Sequence, residues 1–127
     1  MTPRIAIVEY SPIMLGYLQR MLEHEHKISP FKDPFKALSF FKKNKAPQLL
    51  ILDLGIPGFN GIRYLQELRK IEKLESVPII VLSGNGDPSY RSNCFKAGIS
   101  DFITKPYKPQ ELKDRIQDQL SIPVANN

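Results

Sequence analysis

Residues 48–61 read QLLILDLGIPGFNG. Leu49 to Leu52 form an unbroken apolar run that ends on a carboxylate, Asp53. Gly55, Pro57, Gly58 and Gly61 then crowd the connection that follows. A short continuous apolar run bounded by turn residues suits a strand buried on both faces. Such a strand belongs in the middle of a parallel sheet with helices on each side. Asp53 is then delivered to the sheet's carboxyl edge.

The pattern repeats along the chain. Ile5 to Val8 (IAIV) and Ile79 to Leu82 (IIVL) read the same way, and weaker runs lie at Lys27 to Phe31 and Ser100 to Thr104. Segments with helical spacing separate them. Met14, Leu18, Met21 and Leu22 share one face, and Ala37, Leu38 and Phe41 another. Ile62, Leu65, Leu68 and Ile71 form a third, Tyr90, Cys94 and Ala97 a fourth, and Leu112, Ile116 and Leu120 a fifth. Ser11-Pro12, Asp33-Pro34 and Asp87-Pro88 each set an oxygen-bearing cap before a proline. The cap accepts from orphan helix N–H groups, and proline at the first helical position has none to orphan. Gly98 marks the fourth helix's end.

Strands alternating with helices imply crossover connections and a parallel sheet. The expected fold is α/β: a flavodoxin-like, doubly wound (βα)5 unit whose five strands run in the order 2-1-3-4-5. Residues 1–121 form the expected domain, and 122–127 a C-terminal tail or linker stub.

Composition narrows the class. The chain has 127 residues and a net charge of +5. Lys and Arg are scattered; the cluster Lys42, Lys43 and Lys45 reads as a solvated helix end. No aromatic-basic or zinc-finger signature accompanies them, so direct nucleic-acid binding is not expected. A single cysteine, Cys94, excludes an internal disulfide and reads as a packing thiol. His24 and His26 are too few for a zinc site. The first apolar run is too short for a signal peptide and is broken by Glu9, and no stretch is long enough to span a membrane. A cytoplasmic domain is expected.

In such sheets, ligands gather at the carboxyl ends of the strands, beside the switch point between strands one and three. The residues delivered there are Glu9-Tyr10, Asp53, Ser83-Gly84 and Lys105-Pro106. Two acids, a hydroxyl and an amine are thus expected at one edge. Lys105, next to buried strands, needs a partner.

The motifs IVEYSP, LLILDLGIPGFNG, PIIVLSG and DFITKP, in this order, resemble those of receiver domains of two-component response regulators. The resemblance covers nearly the whole chain and implies a role for each matching position. Asp53 is then the phosphoacceptor, and Lys105 the cation that pairs first with the carboxylate and later with the phosphoryl group. Ser83 hydrogen-bonds a phosphoryl oxygen, and Gly84 keeps the approach open. Phe102 holds the aromatic switch position. Glu9, Asp53 and the Gly55 backbone carbonyl serve Mg2+. The Lys105-Pro106 bond is cis. The implied donor is a histidine kinase or phosphotransfer protein. The responding surface is the fourth helix, fifth strand and fifth helix, which would meet a downstream protein, an output domain or a second copy. Phosphoryl transfer needs placement and charge compensation more than covalent help, and these residue types supply both.

Tyr10 departs from the pattern, because the family usually carries a second carboxylate there. A phenol with a pKa of roughly 10 stays neutral and ligates magnesium poorly. Glu9 either reaches into the vacated place or serves through water. Quieter readings stand beside the functional ones: Glu9 as a solvated loop acid, Tyr10 as packing over the pocket mouth, Ser83-Gly84 as an ordinary turn, Gly55 as a point of backbone freedom, Phe102 as core. The alternative function is a pseudo-receiver, a binding module that works without phosphorylation. A flavin protein or phosphatase on the same sheet fits less well: EYSPIM lacks the Ser/Thr/Gly-rich loop, and Gly55 stands where related phosphatases carry a second aspartate.

Overall fold

The computed structural model describes residues 2–121; the expected tail, 122–127, lies outside them. Strands β1 (Arg4–Val8), β2 (Lys27–Phe31), β3 (Leu49–Asp53), β4 (Ile79–Ser83) and β5 (Asp101–Thr104) alternate with helices α1 (Pro12–Leu22), α2 (Pro34–Lys43), α3 (Gly61–Arg69), α4 (Pro88–Lys96) and α5 (Pro109–Leu120). All strand pairs are parallel and the order is β2-β1-β3-β4-β5. This is the doubly wound arrangement read from the sequence.

Burial explains the apolar runs. Every residue of β3 and β4 is buried. The edge strand β2 has no fully buried residue and tolerates Pro30, which a central strand would not. Side chains alternate across the pleat and build two cores. Ile5, Ile7, Leu49, Ile51, Leu82 and Ile103 pack with α1 and α5 through Leu15, Leu18, Leu112 and Ile116. Ala6, Val8, Leu50, Leu52, Val81 and Phe102 pack on the other face with Ala37, Phe41, Leu65, Leu68 and Cys94. No helix among the described residues is long and apolar enough to cross a membrane.

The caps behave as expected. Ser11, Asp33 and Asp87 accept from Met14, Phe35 and Ser89 N–H groups at 3.3, 2.8 and 2.8 Å. Several details differ from the sequence reading. Leu15, not Met14, carries the buried face of α1 with Leu18 and Leu22. Ile71 falls past the end of α3, leading into a short 3-10 turn at Glu72–Leu74. The freedom of glycine is used at Gly58 (φ +72°) and Gly98 (φ +105°), not at Gly55. The β3–α3 connection turns at Gly58, directly after Pro57. Gly98 closes α4, and its carbonyl accepts from Arg69 Nε at 3.0 Å and Nη2 at 2.6 Å.

Candidate functional site

Pleat and register bring the predicted residues together. Glu9 follows β1 and Asp53 ends β3, both in phase with the α1/α5 face. Lys105 follows Ile103 on the same phase two residues on. Ser83 ends β4 in phase with Phe102, on the opposite face. So three charged groups meet from one side and a hydroxyl approaches from the other.

Glu9, Asp53 and Ser83 are the buried polar or charged residues among the described residues, each about 95% removed from solvent. Asp53 forms an ion pair through Oδ2 with Lys105 Nζ. Its Oδ1 accepts from the Gly55 N–H at 3.0 Å. Gly55 matters here through space rather than φ: a Cβ would lie 3.2 Å from Asp53 Oδ1 and press on the carboxylate. Ser83 Oγ accepts from the Asn85 N–H at 3.0 Å, so its hydroxyl stays within its own loop. A Cβ on Gly84 would meet nothing within 4 Å, so the space beside this residue is open. The Lys105-Pro106 peptide is cis.

Glu9 is not the solvated loop acid of the quieter reading. Its Oε2 accepts from the Ser11 N–H at 3.1 Å. Its Oε1 is buried with no hydrogen-bond partner among the described residues. Burial pushes the Glu9 carboxyl up to about 7, the adjacent Asp53 carboxyl pushes the same way, and the Ser11 N–H and Lys105 oppose them. A buried acceptor left unsatisfied asks for a proton, a water or a cation.

Tyr10 is 58% exposed and does not pack over the pocket. It lines an apolar groove of about 730 Å3 with Pro12, Pro34, Phe35, Ile56 and Phe59. Phe102 is core: it is 4% exposed and meets Tyr90 edge-on at 6.1 Å. Two residues escaped the sequence reading. Tyr64 is buried and donates its hydroxyl to the Pro34 carbonyl at 2.6 Å, tying α3 to the start of α2. Tyr107 has a buried hydroxyl without a partner among the described residues. Burial raises it to about 12, helped by Tyr17, Glu9 and Asp53.

The donor set suits a hard cation. Among the described residues, no group of three or more His, Cys, Asp or Glu side chains is arranged to hold a metal ion by itself. Two buried carboxylates, one with an unsatisfied oxygen, remain, and magnesium needs only one or two together with carbonyl and water oxygens. The chemistry of the residues therefore fits Mg2+ better than a softer metal.

A sheet of this topology, carrying two acids, a lysine and a serine at its carboxyl edge, defines a class of signalling domain. The chain belongs to it: the response regulator receiver domain family matches residues 5–117. It is similar to a chemotaxis protein CheY homolog of Campylobacter jejuni, 32% identical over 90% of this chain and 82% of that one. It is also similar to the cyclic di-GMP phosphodiesterase response regulator RpfG of Xanthomonas campestris, 33% identical over 86% of this chain but only 29% of the relative. The chain thus spans less than a third of that longer protein. Among solved structures, the non-phosphorylated HemR receiver domain of Leptospira biflexa superposes with a TM-score of 0.88 at 26% identity, covering 99% of this chain and 100% of that one. A receiver domain of a Pseudomonas aeruginosa sensor histidine kinase, with magnesium coordinated in its active site cleft, matches at 0.83 and 26%, covering 96% and 100%. Receiver domains serve phosphorelay signalling and are generally not enzymes.

Proposed function

We propose that this receiver takes a phosphoryl group on Asp53 from a histidine kinase or phosphotransfer protein and passes the change to a partner-binding surface. One observation carries the reading: Asp53 pairs with Lys105 and lies beside Glu9, whose Oε1 is buried with no hydrogen-bond partner among the described residues. The Asp53 carboxylate oxygen bonds to phosphorus as the bond from phosphorus to the donor's imidazole nitrogen breaks. Lys105 turns from the carboxylate to a phosphoryl oxygen, and the Ser83 hydroxyl turns from the Asn85 carbonyl to donate to another. Glu9, Asp53 and the Gly55 carbonyl would hold Mg2+, which offsets charge on the phosphoryl oxygens. The responding surface is α4, β5 and α5, which receives a downstream protein, an output domain or a second copy. A compartment shared with the kinase's catalytic face, the cytoplasm, follows from this role.

Tyr10 favours a second reading. It replaces the usual carboxylate, and the ion pair of Asp53 with Lys105 is already made. A pseudo-receiver would keep that pair as a static brace and bind partners without phosphorylation.

Incubation with a small phosphodonor and Mg2+, followed by intact mass and peptide mapping, separates the two. A phosphoryl adduct on Asp53 supports the first reading. No adduct, or one that survives Asp53→Asn, overturns it.

A further inference from the structure

Tyr90 sits in the first turn of α4, half-buried, where three parts of the chain converge. Its hydroxyl lies 3.3 Å from the point a Gly61 Cβ would occupy, and Leu54 Cβ and Cδ1 lie 3.0 Å from the same point. Leu54 is the residue after Asp53, and Gly61 opens α3. The Tyr90 hydroxyl therefore lies close to Gly61, at the far end of the connection that leaves the phosphoacceptor, and Leu54, at its near end, packs close to the same glycine. Its ring meets Phe102 at 6.1 Å and 73°. The Arg91 guanidinium lies 6.0 Å from the Phe102 ring centroid and 5.0 Å from that of Phe95, which is 37% exposed. A continuous series of contacts thus runs from the Asp53 loop to the outer surface of α4.

Contacts alone do not make a switch; an element with two arrangements is needed. Beside Tyr90 lies an open cleft of about 430 Å3, lined by Gly58, Phe59, Asn60, Gly61 and Ile62. It offers the ring a second place to sit if Leu54 and Gly61 shift. Glycine at 61 is what lets the hydroxyl approach the start of α3 so closely.

We propose that Tyr90 is a positioning residue that couples the Asp53 loop to Phe102 and, through Arg91, to the exposed Phe95 face, by moving between its seat beside Gly61 and the adjoining cleft. This rests on the receiver reading above. It gives Phe102 a second input, independent of the Ser83 hydroxyl: one reports the phosphoryl oxygen, the other the path of the loop behind it. The ring carries the coupling and the hydroxyl sets its seat.

The test uses the full chain with labelled backbone amides and tyrosine rings, and beryllofluoride with Mg2+ as the phosphoryl analogue. In the wild type, the Asp53 and Gly55 amides, the Tyr90 ring and the Phe95 and Phe102 amides all shift. Tyr90→Leu keeps the Asp53 and Gly55 shifts while those of Phe95 and Phe102 fall by about threefold or more. Tyr90→Phe retains most of the response. Wild-type-sized shifts at Phe95 and Phe102 in Tyr90→Leu overturn the proposal. So does a wild-type Tyr90 ring that stays still while Asp53 and Gly55 respond, a readout that stands even if Tyr90→Leu fails to fold. Silence at Asp53 and Gly55 in the wild type is a different result: it removes the receiver reading, and the coupling with it.

Discussion

At the amino edge of the sheet, Asp101 opens β5 and accepts from Arg115 Nη1 on both oxygens, at 2.6 and 2.7 Å, and from the Phe102 N–H at 2.9 Å. Arg4, at the start of β1, is tied to the Ala46 carbonyl and the Gln48 side chain. These charges are half-exposed, and each has a partner. At the carboxyl edge, Glu9 and Asp53 are nearly dry and lie beside each other, and the lysine there, Lys105, pairs with Asp53. Glu9 Oε1 and the Tyr107 hydroxyl lack partners among the described residues. One edge is finished for stability; the other stores like charge and unsatisfied oxygens where a cation and a phosphoryl group would relieve them.

The contrast is broken most sharply at Asp53. Asp53→Asn should abolish phosphoryl incorporation from a small donor, read by intact mass, while circular dichroism shows the fold retained. Next comes Glu9→Gln. The folded carboxyl sits at about 7 against an ordinary 4.5, so between those values the folded chain binds more protons than the unfolded one. Stability of the metal-free protein therefore falls as pH rises from 4.5 through about 7. The full shift corresponds to roughly 3 kcal/mol at about 1.36 kcal/mol per unit. Glu9→Gln should be more stable than the wild type by about 1–3 kcal/mol near pH 8 and equal near pH 4, measured by urea unfolding. Equal stability across that range would mean that Glu9 is not held against its charge. The same change should weaken Mg2+ binding by about tenfold or more, a loss of about 1.4 kcal/mol.

Ser83→Ala should act on chemistry and not on folding. The hydroxyl accepts only within its own loop, so stability should change by less than about 1 kcal/mol. Loss of a charge-assisted hydrogen bond to the phosphoryl group should slow phosphorylation by about tenfold. The smallest effect belongs to the amino edge. Arg115→Ala removes a half-exposed ion pair and should cost about 0.5–1 kcal/mol in urea unfolding, with Mg2+ binding and phosphorylation unchanged. A larger cost there, or any loss of Mg2+ binding, would erase the distinction between the edges.

Much of this was legible in the sequence because it is local. Apolar runs such as LLIL report burial on both faces, and Ser11, Asp33 and Asp87 report helix starts through hydrogen bonds spanning two or three residues. The strand ends follow once the order is known, so the sequence itself sets Asp53, Lys105 and Glu9 on one edge. What escaped depends on contacts across the fold. Tyr64 is marked by nothing local: the Pro34 carbonyl that accepts its hydroxyl lies 30 residues away. Tyr107 follows a Lys-Pro turn with nothing local to mark a buried hydroxyl. A large ring beside a buried acid suggests packing over the pocket mouth, but Tyr10 is mostly exposed and lines the groove beside Phe35. Gly55 and Gly58 are alike in sequence, and only φ distinguishes the glycine that turns the chain from the one that makes room for a carboxylate.

We infer that the carboxyl edge, with Glu9 Oε1 unsatisfied among the described residues, is built to receive a divalent cation. A Mg2+ titration of the full chain followed by amide NMR, repeated on Glu9→Gln, addresses it directly. Saturable shifts confined to the neighbourhood of Glu9, Asp53 and Gly55, lost or strongly weakened in Glu9→Gln, are the predicted result. A spectrum indifferent to Mg2+, or one that responds equally in both proteins, would contradict it.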